Sequence, residues 1–197
     1  MSGPAPDHLA DPSARVSAWN VANALTVLRV LMVPLFVWLI VSDDGGDGAR
    51  RWWAAAVFVV ASATDWVDGE LARRHGLVTD FGKIADPIAD KALMGAALVG
   101  LSFLGELPWW VTVVILVREV GITLMRFWVI RHEVIPASRG GKLKTALQAF
   151  GLVLLLVPVA VLQGIGLWVM YAAVVVTVLT GLDYVVSAVR AARARRG

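Results

Sequence analysis

Residues 65–91 read DWVDGELARRHGLVTDFGKIADPIADK, and this stretch places two pairs of aspartates between long apolar segments. Asp65 and Asp68 are three residues apart, and Asp86 and Asp90 are four apart. On a helix, both spacings bring side chains onto one face at neighbouring turns. The stretch therefore predicts two helices that each carry a pair of carboxylates, joined by a polar link.

The composition is that of a membrane protein. Of the 197 residues, 58% are hydrophobic and none is cysteine. The hydrophobic fraction and the mean hydropathy of +0.73 both exceed the range of ordinary soluble domains. A helix needs about 20 mostly apolar residues to cross a bilayer. Segments near this length lie at 24–41, 52–72, 88–104, 109–130, 143–162 and 167–189. The short links between them predict an all-α bundle of six transmembrane helices.

The lysines and arginines predict how this bundle is oriented, because cytoplasmic loops carry more of them. With the N-terminus inside, Arg50 and Arg51 lie near the outer face and the other loop cations lie near the inner one. Both termini and a polar active-site cavity are therefore expected on the cytoplasmic side. The net charge of +3 and the pI of about 9.7 are explained by these loops beside anionic lipids, so we predict no nucleic-acid partner.

The domain organisation follows from the same pattern. Residues 1–19 lack the basic start and apolar core of a signal peptide, and we expect a flexible cytoplasmic leader there. Residues 20–190 form the six-helix domain, and residues 191–197 form a basic cytoplasmic tail that anchors to the inner leaflet.

The aspartate pairs predict a metal site. Carboxylates at membrane depth are costly unless they are paired or bind a cation. Oxygen ligands suit Mg²⁺, Mn²⁺ or Ca²⁺, and the absence of cysteine argues against zinc. Two other interpretations remain open: Asp86, which precedes Pro87, would be a helix N-cap, or the acids would pair with neighbouring cations. Those cations are Arg73, Arg74, Lys83 and Lys91.

Small residues accompany the first aspartate pair. Gly69 and Ala72 leave a strip without bulk, and Arg73 supplies a cation for phosphate. The strip would serve either a flat ligand that approaches the backbone or a contact with another helix.

Together these residues fit the pattern D-x2-D-G-x2-A-R-x8-G-x3-D-x3-D, and the stretch resembles the signature of the CDP-alcohol phosphatidyltransferases. The eight matching positions are Asp65, Asp68, Gly69, Ala72, Arg73, Gly82, Asp86 and Asp90. Residues 20–36 resemble the N-terminal segment of the family, with Asn23 and Thr26 matching and Ala22 where proline is usual. Residues 117–148 resemble the later spans of phosphatidylglycerophosphate synthases.

The resemblance implies a metal-dependent transferase in a bacterial-type inner membrane. Two divalent cations, Mg²⁺ or Mn²⁺, would be held by Asp65, Asp68, Asp86 and Asp90. Asp90 would also act as the catalytic base that takes the proton of the acceptor hydroxyl. The CDP-diacylglycerol substrate would contact Asn23, Thr26, Gly69, Ala72, Arg73, Thr79 and Gly82. CMP would leave as the second product.

Cations of the later spans point to the acceptor. Arg118 lies within an apolar span, where a buried charge is usually paired, and Glu119 or Asp183 would be its partner. The resemblance favours binding of an acceptor phosphate instead, and it implies glycerol 3-phosphate as the acceptor and phosphatidylglycerol phosphate as the product. The acceptor-phosphate residues would be Arg118, Arg126, Arg139, Lys142 and Lys144. Phosphatidylglycerol and inositol phosphate remain alternative acceptors, and Arg29 is left without a role.

A divalent-cation carrier is the alternative from another functional class. A permeation path requires acids along its whole depth. Here the acids of the second and third spans lie at their cytoplasmic ends, and the links "LGELP" and "QGIG" offer only Glu106 near the outer face. The distribution favours the transferase. Lipid-facing tryptophan and leucine surfaces and the family resemblance are consistent with a homodimer.

Overall fold

A computed structural model describes four parts of the chain, and these contain six α-helices and no strand. The backbone is described over 21–42, 48–75, 80–129 and 139–194, and the side chains over 27–42, 48–64, 88–125 and 143–187. The helices are α1 (Val21–Val41), α2 (Ala49–His75), α3 (Asp80–Phe103), α4 (Trp109–Val129), α5 (Arg139–Leu156) and α6 (Ala160–Ala194). The all-α, six-helix prediction is confirmed for these residues, and the leader predicted at 1–19 lies outside them.

The turn between α5 and α6 lies elsewhere than predicted. The segments 143–162 and 167–189 predict a turn at the link QGIG, residues 163–166, but α6 already runs through these residues. The turn is formed by residues 157–159. Pro158 has no N–H to donate and its ring clashes with a preceding helical turn, so α5 ends at Leu156.

The glycines of α5 and α6 allow these two helices to pack closely. A Cβ at Gly166 would lie 3.0 Å from the backbone nitrogen of Leu155, and a Cβ at Gly151 would lie 2.8 Å from the sulfur of Met170. Both distances are shorter than ordinary van der Waals contacts. Gly166 therefore marks a close contact between helices, where the sequence pattern suggested a turn.

The start of α3 also differs from the prediction. The helix begins at Asp80, about two turns before Ile88, where the apolar segment begins. Asp86 and Pro87 consequently lie inside the helix, and the N-cap interpretation of Asp86 is wrong. Hydropathy detects where a helix becomes apolar, whereas the helical backbone extends through the polar residues that precede this point.

The core lies where α1, α2 and α3 meet and continues to α4, α5 and α6. Helix α1 packs against α2 and α3, while α4 and α5 pack against α6. The rings of Phe36 and Phe58 lie 5.8 Å apart at the contact of α1 with α2. Other large buried side chains are Leu93, Leu98, Leu101, Val111, Ile115, Leu152, Leu155 and Met170. This core fixes the relative positions of the helices that carry the candidate site.

A buried arginine joins three elements at the end of the bundle that is predicted to face outward. Arg51, at the start of α2, is only 2% exposed. Its Nε donates to the carbonyl of Leu156 at 3.1 Å, and its Nη2 donates to the carbonyl of Leu155 at 3.0 Å. The guanidinium also pairs with Glu106 in the turn between α3 and α4. Because the last carbonyls of a helix have no intrahelical partner, Arg51 caps the C-terminus of α5.

The described part of the chain has a strongly apolar surface. Within it, one helical stretch, Ala160–Ser187, is by itself long and apolar enough to cross a bilayer. Shorter apolar helices cover Val27–Val41 and Leu143–Leu156. Tryptophans are among the most exposed side chains, and they are Trp38, Trp52, Trp53, Trp109, Trp110 and Trp168.

Candidate active site

Apart from Thr79, the predicted ligands of the metal and of the CDP-lipid lie on α1, α2 and α3. The helical backbone of α2 continues through Asp65 and Asp68, and that of α3 through Asp86 and Asp90. Asp90 has a described side chain, which is half-buried. Thr79 lies wholly outside the described residues. For the other predicted ligands the structure describes the backbone alone, and these are Asn23, Thr26, Asp65, Asp68, Gly69, Ala72, Arg73, Gly82 and Asp86.

Asp90 lies at a cavity of about 240 Å³ between α3, α4 and α5. The cavity is lined by both apolar and polar side chains. The apolar lining includes Met94, Leu98, Ile115, Leu116, Val120 and Leu124. The polar lining is formed by Asp90, Lys91, Glu119, Thr123, Lys144, Thr145 and Gln148. A small polar ligand would find donors and carboxylates here, beside a surface suited to hydrocarbon.

Two of the five predicted acceptor-binding cations meet beside this cavity. Lys144 is 5% exposed, and its ammonium pairs with the Glu119 carboxylate. Arg118 donates from Nη1 to the same carboxylate oxygen at 3.2 Å and from Nη2 to Thr180 Oγ1 at 3.4 Å. Arg126, Arg139 and Lys142 lie on α4 and α5 with side chains outside the described residues.

The pairing of Arg118 is the one that the sequence offered as an alternative to acceptor binding. Glu119 is its partner, and among the described side chains no ion pair joins Arg118 to Asp183. The pair does not neutralise the site, because Glu119 carries one negative charge and contacts two cations. A dianionic ligand would therefore still find positive charge at this wall.

The sequence offered Glu119 only as a possible partner of Arg118, and its contact with Lys144 was not predicted. It accepts from both cations, and its backbone carbonyl accepts a 2.7 Å hydrogen bond from Thr123. The Thr123 hydroxyl in turn accepts a hydrogen bond from the ammonium of Lys91 on α3. The available signal was composition, since Glu119 is the one acid between residues 109 and 125. Its partner Lys144 lies 25 positions away, which no local pattern indicates.

A second polar link was also missed. Gln148 of α5 is buried and donates to Thr177 of α6 at 3.0 Å. Gln148 lies one helical turn from Lys144 and lines the same cavity. The link fixes the rotation of α5 against α6, and it thereby fixes the direction in which Lys144 extends.

Of the four predicted metal ligands, Asp90 is the one whose side chain the structure describes. Within the side chains that the structure describes, no three acidic or histidine groups lie close enough to hold a metal. Three of the four predicted ligands have side chains outside that set, namely Asp65, Asp68 and Asp86. The half-buried carboxylate of Asp90 supplies the oxygen donor that Mg²⁺ and Mn²⁺ prefer. The fourth predicted ligand thus fits the expected group in its chemistry.

Comparisons with known proteins identify the family of this chain. Residues 19–179 match the model of the CDP-alcohol phosphatidyltransferase family. The chain is 51% identical to the probable phosphatidylglycerophosphate synthase of Mycobacterium tuberculosis (strain CDC 1551 / Oshkosh), over 90% of this chain and 86% of the relative. It is 35% identical to the CDP-diacylglycerol–glycerol-3-phosphate 3-phosphatidyltransferase of Bacillus subtilis (strain 168), over 84% of this chain and 93% of the relative. An enzyme of the same name from Rickettsia typhi is also 35% identical, over 84% of this chain and 94% of the relative.

The family predicted from the aspartate motif is therefore confirmed. The matched region spans α1 to α5 and most of α6, so it includes every helix that contributes to the cavity. Members of this family are membrane-associated and generally depend on a divalent cation. The chain belongs to the CDP-alcohol phosphatidyltransferase family and is a transferase of phospholipid biosynthesis.

Proposed function

We propose that this protein transfers the phosphatidyl group of CDP-diacylglycerol to glycerol 3-phosphate, giving phosphatidylglycerol phosphate and CMP. The observation that carries the proposal is the cavity where the motif residue Asp90 and the cationic residue Lys144 line the same space from α3 and α5. A carboxylate that can take a proton and a cation that can hold a phosphate are both needed for such an acceptor. The names of the related enzymes support this choice of substrates.

The chemistry assigned to Asp90 is proton removal. The acceptor hydroxyl oxygen forms a bond to the phosphorus of the phosphatidyl group, and the bond from that phosphorus to the oxygen of CMP breaks. The hydroxyl proton moves to a carboxylate oxygen of Asp90. The half-buried position of Asp90 limits the access of water that would compete with the acceptor.

Two divalent cations, Mg²⁺ or Mn²⁺, would be held by Asp65, Asp68, Asp86 and Asp90. When bound, the metal would neutralise charge on the phosphates and on the departing CMP. The protein supplies the oxygen donors, and helix α2 holds the first pair three residues apart while helix α3 holds the second pair four apart.

The other substrate contacts are assigned by the same reasoning. The CDP group would lie against the small residues and cation of the motif, and the proposed set is Asn23, Thr26, Gly69, Ala72, Arg73, Thr79 and Gly82. The acceptor phosphate would be bound by Arg118, Arg126, Arg139, Lys142 and Lys144. Guanidinium and ammonium groups from α4 and α5 suit a dianion better than the single diester charge of a phospholipid acceptor.

We propose that six helices span the membrane with both termini and the cavity on the cytoplasmic side. The exposed tryptophans support the placement of several helix ends at a membrane interface, because tryptophan concentrates at membrane interfaces. Trp38 lies near the end of α1, Trp52 and Trp53 near the start of α2, and Trp109 and Trp110 at the start of α4. All of these helix ends are on the outer side in the predicted topology. The homodimer expected from the family resemblance stays a prediction.

The release of CMP by purified protein in detergent tests the function. We expect CMP from CDP-diacylglycerol and Mg²⁺ or Mn²⁺ when glycerol 3-phosphate is added, and little without an acceptor. Phosphatidylglycerol and inositol phosphate are the matched alternative acceptors. If CMP appeared only with one of these, the acceptor assignment would be wrong, although the transferase assignment would hold.

A further inference from the structure

We infer that Glu119 is a positioning residue of the acceptor site, because one of its carboxylate oxygens holds the cations of Arg118 and Lys144 together beside the cavity. The inference deepens the proposed function and rests on it, since it takes these two cations to be ligands of the acceptor phosphate. Glu119 acts through them and does not bind the acceptor itself.

The first support is the way in which Glu119 joins two helices. Its Oε1 accepts from Lys144 Nζ on α5 and, at 3.2 Å, from Arg118 Nη1 on α4. The described parts of α4 and α5 make no close backbone contact with each other. The Lys144 side chain therefore reaches across the space between the helices, and its position depends on the carboxylate that receives it.

The second support is the arrangement of Arg118. Its stem lies against α6, where a Cβ at Gly181 would come within 3.4 Å of Arg118 Cγ. Thr180 accepts from its Nη2 at 3.4 Å, whereas its Nε is buried without a hydrogen-bond partner in the described part of the chain. The guanidinium is thus held by α6 on one side and by Glu119 on the other, and its Nε has no partner among the described residues.

The physical need for a carboxylate is clear from the charges. Arg118 and Lys144 both carry a positive charge and share one acceptor oxygen, so they repel each other where water is scarce. Lys144 is almost fully buried, and a buried cation without its partner is strongly unfavourable. Without Glu119 the ammonium would turn toward solvent, and the two cations would no longer be in place for one phosphate group.

The direction in which acceptor binding changes when Glu119 loses its charge separates this role from simple charge compensation. The negative charge of Glu119 opposes an anionic ligand, so removing it would strengthen acceptor binding if the carboxylate only offset charge. If Glu119 positions the cations, removing its charge weakens acceptor binding instead. Glu119→Gln keeps the size of the side chain and removes the charge, which makes it the decisive variant.

The experiment compares Glu119→Gln with Glu106→Gln. Glu106 is the matched control, because it also pairs with a buried arginine, Arg51, but it is absent from the cavity lining. We expect Glu119→Gln to raise the apparent KM for glycerol 3-phosphate about tenfold, with the KM for CDP-diacylglycerol within about twofold of the wild type. Glu106→Gln should leave both KM values unchanged, even where it lowers Tm. Glu119→Asp, which keeps the charge, should recover part of the loss.

A double variant tests whether Glu119 acts through Lys144. If it does, adding Glu119→Gln to Lys144→Met should raise the KM for glycerol 3-phosphate much less than about tenfold further, because effects of coupled residues do not add. The increase in Tm that glycerol 3-phosphate gives should likewise shrink in Glu119→Gln and persist in Glu106→Gln.

Several results would overturn the inference. These are an unchanged or lower KM for glycerol 3-phosphate in Glu119→Gln, an equal rise in Glu106→Gln, or fully additive effects in the double variant. Failure of the proposed function is separate from these, because it would show in the wild type as no CMP release with glycerol 3-phosphate.

Discussion

Replacing Arg51 with methionine should destabilise the fold while the active site stays intact. The change removes two hydrogen bonds to the last carbonyls of α5 and the ion pair with Glu106. Breaking a buried ion pair at one partner typically costs about 3–5 kcal/mol. Glu106 is 25% exposed and would regain some hydration, so we expect a loss near the lower value, about 3 kcal/mol.

The assay is thermal unfolding in detergent, followed by tryptophan fluorescence. At roughly 2–4 °C per kcal/mol for a chain of this length, Arg51→Met should lower Tm by about 6–12 °C. Arg50→Met is the matched control, because Arg50 is exposed and, among the described residues, its one hydrogen bond is to the carbonyl of Ser42 at 2.6 Å. We expect that control to change stability by no more than about 0.5 kcal/mol.

Transferase activity at low temperature should survive the Arg51 change. Arg51 lies 14 residues before Asp65 on one continuous helix, which corresponds to about 21 Å along its axis. Equal Tm values for the Arg51 and Arg50 variants would refute the proposed cap of α5. Loss of activity in a variant that is still folded would show instead that the Arg51–Glu106 pair affects the geometry of the active site.

Three further predictions concern catalysis, metal and packing. Asp90→Asn should lower kcat by at least about a hundredfold with little change in CDP-diacylglycerol binding, and a rate above about a tenth of the wild type would exclude an essential base. EDTA should abolish CMP release, with recovery on adding Mg²⁺ or Mn²⁺, and full activity in excess chelator would contradict a metal-dependent reaction. Gly166→Ala should cost about 1–3 kcal/mol through overpacking against Leu155. Gly164→Ala, where nothing lies within 4 Å of the new Cβ, should be neutral or stabilising, and equal Tm values for the two would argue against the close contact.

The helix count could be predicted from the sequence, but some helix ends could not. The predicted start of the fourth segment agrees with α4, which begins at Trp109 directly after Pro108. The end of α5 was misplaced because Gly164 and Gly166 suggest a turn as readily as a close helix contact, and only packing distinguishes the two. Pro158 was the more informative residue, since proline interrupts helical hydrogen bonding in either case.

For the site, sequence reasoning offered Glu119 as a partner of Arg118 but predicted no partner for Lys144. Arg118 and Lys144 were predicted to be phosphate ligands because the family resemblance favours an acceptor phosphate at the basic residues of the later spans. That both would meet at Glu119 depends on the rotation and register of α4 against α5, and no spacing rule within either helix fixes these. The hydrogen bond from Gln148 to Thr177 could not be predicted from the sequence for the same reason.

The polar contacts explain how α5 is held in place. Helices in lipid gain little from burying apolar surface against one another, so close packing and polar contacts determine how they associate. Lys144 is bound near the N-terminal end of α5, and Arg51 caps its C-terminal end at Leu156, 12 residues or about 18 Å away. Gly151 and Gly166 set the distance to α6 between these two points. The position of Lys144 in the cavity is therefore specified by contacts along the whole helix. A change at the outer end of α5 should alter the acceptor site only if it shifts the helix as a rigid body.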